Sequence, residues 1–288
     1  MATDGPLINL GGLSKPATVL VEKVCSAVGV LYEPTRVRRL ARAEVDVEKI
    51  RTLARIELNH IEERALERLV HSEARKQENI EQITAQAATQ LPPTAKVDQL
   101  EEDWVAHFFK QCDTVSDKEM QTLWSKLLAG EATTPGTFSK RTVDFVSTID
   151  KKDASLFTVF GQFVWMLGDP TPLLYELNDE IYVKSGLSFM ALKHLNTIGL
   201  ISFESVAGYK SLGLPKNVVA HYFGSPTVLQ FPQDQGNTLQ LGHALLTTTG
   251  KELVAICGAQ RNEDFYQYVL GKWRTQSIMI NGVGQPAS

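Results

Sequence analysis

The sequence predicts a mainly α protein with a C-terminal α+β region, and three observations carry that prediction. From Thr35 to Gln90 no proline or glycine interrupts a run rich in Ala, Arg, Glu and Leu, all good helix formers. Between Asp103 and Phe157, helix-start signals precede apolar residues spaced three and four apart, the period of a helix with one buried face. Beyond Ile201 short β-branched runs alternate with Gly, Pro and Asn, as strands and turns do. A chain of 288 residues with 43% hydrophobic content is long enough for two domains. The formal net charge of -4 gives no warrant for nucleic-acid binding through bulk charge. Cys25, Cys112 and Cys257 lie far apart in an odd count, which points to a reducing cytoplasm rather than a disulfide framework.

Residues 1–35 read as a tail and a short apolar helix. The opening MATDGPLINLGG has no basic stretch and no long apolar run, against a secretory signal. Ala17 to Tyr32 sets Leu20, Val24, Ala27, Val28 and Leu31 on one helical face. It is too short to span a bilayer and is broken by Glu22 and Lys23. Such a stripe packs against protein or lies on a membrane surface, with packing the plainer reading. Residues 36–91 read as one long charged amphipathic helix, with Ile50, Ala54, Leu58, Ile61, Ala65 and Leu69 recurring along it. Unbroken, it would reach about 80 Å, so it calls for coiled-coil or hairpin packing. Ile50, Leu58, Ile61 and Leu69 are its expected assembly face. At its start Arg36, Arg38, Arg39 and Arg42 oppose the helix dipole. They read either as a solvated face balanced by Glu44, Asp46 and Glu48 or as a contact for an anionic surface.

Leu91-Pro92-Pro93 breaks that helix, and residues 98–168 read as a helical bundle. Trp104, Phe108 and Phe109 form the apolar face of its first helix. Ser116 with Glu119 matches a capping box for the next, along which Met120, Leu123, Trp124, Leu127 and Leu128 repeat. Pro135-Gly136 ends it, and Ser139 to Ile149 and Asp153 to Met166 supply two more helices.

Residues 171–275 change character. Ser185 to Ile201 reads as a helix running into a strand. Further strands are expected at Ile201 to Val206, Val218 to Phe223, Thr227 to Phe231 and Thr238 to Leu246, then helices at Leu246 to Cys257 and Asn262 to Trp273. Residues 276–288 read as a flexible tail. The series Leu192 to Ile201, a hairpin, and Leu246 to Leu253 resembles a winged-helix domain, with Lys193, His194 and Asn196 as its contact residues. From Ser188 to Thr275 seven Lys or Arg stand against five Asp or Glu. That margin is thin for phosphate contacts, so a protein-interaction module is favoured over a DNA reader.

The bundle also carries a family resemblance. Asp117, Glu119, Gln121, Trp124, Leu127, Leu128 and Ala129, then Phe138, Phe145, Ile149, Asp153 and Ala154, resemble a bacterial domain-of-unknown-function family related to the abortive-infection alpha proteins. Leu13 to Glu44, with Pro16, Gly29 and Pro34, looks familial as well. The resemblance covers about half of the chain and implies a role in phage defence or a related stress response, without a catalytic residue to carry over.

No catalytic, cofactor or metal residue emerges. The six histidines show no HExxH or close ligand spacing; His60 and His71 lie eleven apart on the long helix. Gly11-Gly12 and Gly282 with Gly284 fall in tails rather than in strand-to-helix turns. The expectation is a non-enzymatic cytoplasmic protein, with the inner-membrane surface as a peripheral site. It would form a homo-oligomer and sense a protein partner in defence or stress. The alternative is a DNA-associated winged-helix regulator.

Overall fold

In the computed structural model the described residues are 14–29 and 60–281. They fall into two compact units, residues 1–147 and 148–288. Of the described residues about 54% are helical and 17% are in strands, a mixed α/β protein with helices in its N-terminal half and sheets in its C-terminal half.

The first unit is built from helices. Helix α1 (Lys15–Val28) starts at Ser14, whose side chain accepts from the Ala17 N–H, and has Pro16 in its first turn, where a missing N–H costs nothing. It stops at Gly29 in the left-handed conformation (φ 72°). Its Leu20 and Val24 are fully buried, because α1 packs on α2 (His60–Gln90) and α3 (Glu102–Cys112). The stripe that could have lain on a membrane is thus used inside the protein over residues 17–24. Helix α2 continues for 31 residues and ends before Pro92. Its C-terminal half buries Ile83, Ala87 and Ala88 against α4 (Lys118–Thr133) and α1. Helix α5 (Lys140–Thr148) closes the unit.

Trp104, Phe108, Phe109, Trp124, Leu127 and Leu128 form the core of this unit. Phe108 stacks on Trp104 with centroids 5.2 Å apart and meets Trp124 edge-on at 5.1 Å, geometries that aromatic quadrupoles favour. The expected capping box does not form. Asp117 is the N-cap of α4 and accepts from the Glu119 and Met120 N–H groups, while the Ser116 hydroxyl takes a hydrogen bond from Asn79.

The second unit corrects the predicted fold class. Where a winged-helix-like α+β region with four strand runs in a mainly α chain was expected, its described residues form nine strands in three sheets among five helices. The helix expected over Asp153 to Met166 ends early. It is α6 (Lys151–Gly161), followed by β1 (Val164–Leu167) and β2 (Asp169–Pro172). Then come α7 (Glu180–Val183), α8 (Phe189–Thr197), β3 (Ile201–Phe203), β4 (Tyr209–Leu214), β5 (Asn217–Tyr222), β6 (Ser225–Gln230), β7 (Asn237–Gly242) and β8 (Ala244–Leu246). Helices α9 (Thr248–Val254) and α10 (Glu263–Thr275) precede β9 (Met279–Asn281).

The main sheet is antiparallel in the order β2-β1-β5-β6-β9. The supposed wing divides between this sheet and two separate ribbons, β3 with β8 and β4 with β7. Strand β2 carries Pro170 and Pro172, which lack a donor, and it lies at the sheet edge where no second ladder is needed. Residues 279–281, expected in the tail, form the opposite edge.

Helix α10 buries Phe265, Tyr266, Val269, Leu270 and Trp273, a stripe at helical spacing. Trp165 of β1 stacks on Tyr222 at 4.9 Å and on Tyr266 at 5.5 Å, and meets Trp273 edge-on at 4.7 Å. At Gly242 (φ 93°) a Cβ would come within 1.9 Å of the Leu174 carbonyl oxygen. Only glycine permits the close approach that joins Leu174 to β7 in an isolated bridge.

Candidate functional site

The exposed half of α2 is the first candidate. Ala87 lies 18 residues, five whole turns, beyond Leu69 and therefore on the same face. The apolar stripe buried around Ile83 and Ala87 gives way to Lys76, Glu73 and Ser72 and resumes at Leu69 towards the N-terminus of the helix. There Leu69 is 56% and Ile61 69% exposed, and Val70 is also open to solvent. From His60 to Arg75 almost every side chain is exposed. Apolar burial yields roughly 25 cal/mol per Å2, so leaving three large apolar side chains on one helical half forgoes several kcal/mol. Of the expected assembly residues, Ile61 and Leu69 fall on this surface, whereas Ile50 and Leu58 lie outside the described residues. Arg36, Arg38, Arg39 and Arg42 lie outside them as well.

At the inner end of this surface, Asn79 donates to the Asp113 carbonyl at 2.8 Å, and its side-chain oxygen accepts from Gln121 at 3.1 Å. Lys76 lies 3.0 Å from Glu73 and 3.7 Å from Asp113. Glu73 holds the Lys76 ammonium above its usual range, with a smaller contribution from Asp113. This network ties α2 to the turn between α3 and α4, so the exposed half projects from a fixed base.

The second candidate is helix α8, where Lys193, His194 and Asn196 were expected to make contacts. Ser188 caps it by accepting from the Ala191 N–H. All three residues sit on this helix, but two have partners within the fold. His194 Nε2 lies 2.7 Å from Asp153 Oδ1 on α6, and Asn196 Oδ1 accepts from the Phe203 N–H at 2.9 Å. Lys193 is exposed. Beside it Met190 is 71% exposed, and the exposed Phe189 packs edge-on against Phe203. Two apolar side chains and one lysine suit a protein contact better than base readout, which needs hydrogen-bonding side chains free to reach a groove.

Among the described residues no group of three His, Cys, Asp or Glu could hold a metal ion. His107 Nε2 lies 2.7 Å from Asp144, which also accepts from Gln111. This imidazole and that of His194 each face a carboxylate rather than a serine or cysteine. Burial pushes the Cys112 thiol well above its usual range, against formation of the thiolate that reacts.

A further polar cluster lies in the second unit. The Tyr268 hydroxyl donates to Asp179 at 2.6 Å, Lys272 lies 3.4 Å from the same carboxylate, and Tyr182 donates to the Leu173 carbonyl. Burial raises the phenols of Tyr175, Tyr182 and Tyr268 far above the ordinary range. That is the opposite of what an activated phenolate requires.

Sequence reasoning missed the contacts that hold each unit together. Glu131, 4% exposed, accepts from the Gly136 and Phe138 N–H groups at 2.6 and 2.7 Å. Arg261 lies over the Tyr266 and Tyr222 rings, 4.5 and 5.3 Å from their centroids, and donates to the Tyr222 carbonyl and to Ser225. These contacts join residues that neither period nor motif relates.

Among the described residues no helix is long and apolar enough to cross a membrane. No curated protein matches the chain, and no solved structure does. One family model matches residues 63–270, taking in the exposed half of α2 from Glu63 onwards, the helical core and most of the second unit. The chain therefore belongs to the DUF2806 family, proteins of unknown function.

Proposed function

We propose that the protein is a non-enzymatic assembly component that oligomerises through the exposed half of α2 and meets a protein partner through its second unit. The observation that carries this reading is the exposure of the large apolar side chains Leu69 and Ile61 on the half of α2 that lies beyond its buried C-terminal half. The exposed Phe189, Met190 and Lys193 on α8 support the partner contact. The resemblance of the Asp117 to Ala154 pattern to the abortive-infection alpha proteins supports a setting in bacterial phage defence or a related stress response.

The test of the setting is phage plating efficiency and host survival, in cells carrying the native locus against cells lacking only this gene. Protection accompanied by early host death is the expected result. Equal plating across a broad phage panel would remove the defence setting. An anionic membrane is the further partner that Arg36, Arg38, Arg39 and Arg42 would suit. Co-sedimentation with phosphatidylserine vesicles, unchanged when these arginines are reversed in charge, would remove it.

A further inference from the structure

We draw no further inference here: the strongest candidate, the face of the β2-β1-β5-β6-β9 sheet that turns Met166, Val219 and Met279 to solvent on the side opposite the buried Trp165, Ala220 and Leu229, is an unpartnered apolar face, and nothing in the structure shows what covers it.

Discussion

Replacing Glu131 should unfold the first unit far more readily than any exposed carboxylate would. Its side chain is almost fully buried and accepts two backbone N–H groups from the Pro135-Gly136 loop. Hydrogen bonds to a charged group contribute about 1.5–3 kcal/mol each, and a buried donor left without an acceptor costs about 1–3 kcal/mol. The two bonds differ in the cost of their loss. Gly136 is exposed, so its N–H can turn to water, and about 1 kcal/mol is a fair allowance for it. The Phe138 N–H is buried and would carry nearly the full penalty. Glu131→Ala should therefore cost about 3 kcal/mol. With a urea slope near 2 kcal/mol/M, the midpoint should fall by about 1.5 M. Glu131→Gln keeps one acceptor oxygen and should lie between the two. Urea unfolding followed by fluorescence in a chain lacking Trp165 and Trp273 reads the first unit alone, through Trp104 and Trp124. A midpoint shift for Glu131→Ala below about 0.3 M would refute the reasoning.

Three further outcomes rest on individual contacts. Gly130→Ala should destabilise the first unit, although alanine favours a helix over glycine by about 1 kcal/mol. Its Cβ would stand 2.6 Å from the buried Phe138 ring, and a net gain in melting temperature would show that the ring yields freely. Arg261→Lys should cost the second unit about 1–3 kcal/mol, since an ammonium cannot both lie flat over two rings and reach the Tyr222 carbonyl and Ser225. Equal urea midpoints would contradict it. Alkali should unfold the second unit through its tyrosines. Burial pushes the Tyr222 phenol up to about 12 and raises those of Tyr175, Tyr182 and Tyr268 further. An unfolded phenol ionises near 10. In that window the unfolded chain loses protons first, so stability is complete below about pH 10 and falls as pH rises towards about 12 and beyond. Tyr222→Phe should flatten part of that slope; a slope identical to the parent would contradict it.

Much of the helical half was legible because its signals are local. The break at Pro92-Pro93, the apolar spacing from Trp104 to Phe109 and that along Trp124 to Leu128 each declare themselves within one or two turns. The failures have physical causes. The N-cap fell to Asp117 rather than Ser116 because Asn79, 37 residues away, engages the serine hydroxyl. Strand β1 reads Val-Trp-Met-Leu, too short for any period to separate strand from helix. Strand β2 reads Asp-Pro-Thr-Pro, and its prolines look like a turn unless the strand is known to lie at an edge. Strand β9 has three residues, and its pairing with β6 spans about fifty residues of sequence. Of the candidate surfaces, the α2 stripe was visible as periodicity, but its exposure could be seen only once the cover over Ile83 and Ala87 was seen to stop. The expected readers do lie on one helix, α8; that His194 faces Asp153 and Asn196 faces Phe203 depends on tertiary neighbours no local pattern announces.

Sedimentation equilibrium of the full chain, over a range of concentrations and beside the Ile61→Glu, Leu69→Glu double variant, tests the assembly claim most directly. The account predicts a mass well above 31.9 kDa that rises with concentration in the parent and collapses to the monomer in the variant. A monomeric mass for the parent at every concentration, or an unchanged oligomer in the variant, would contradict it.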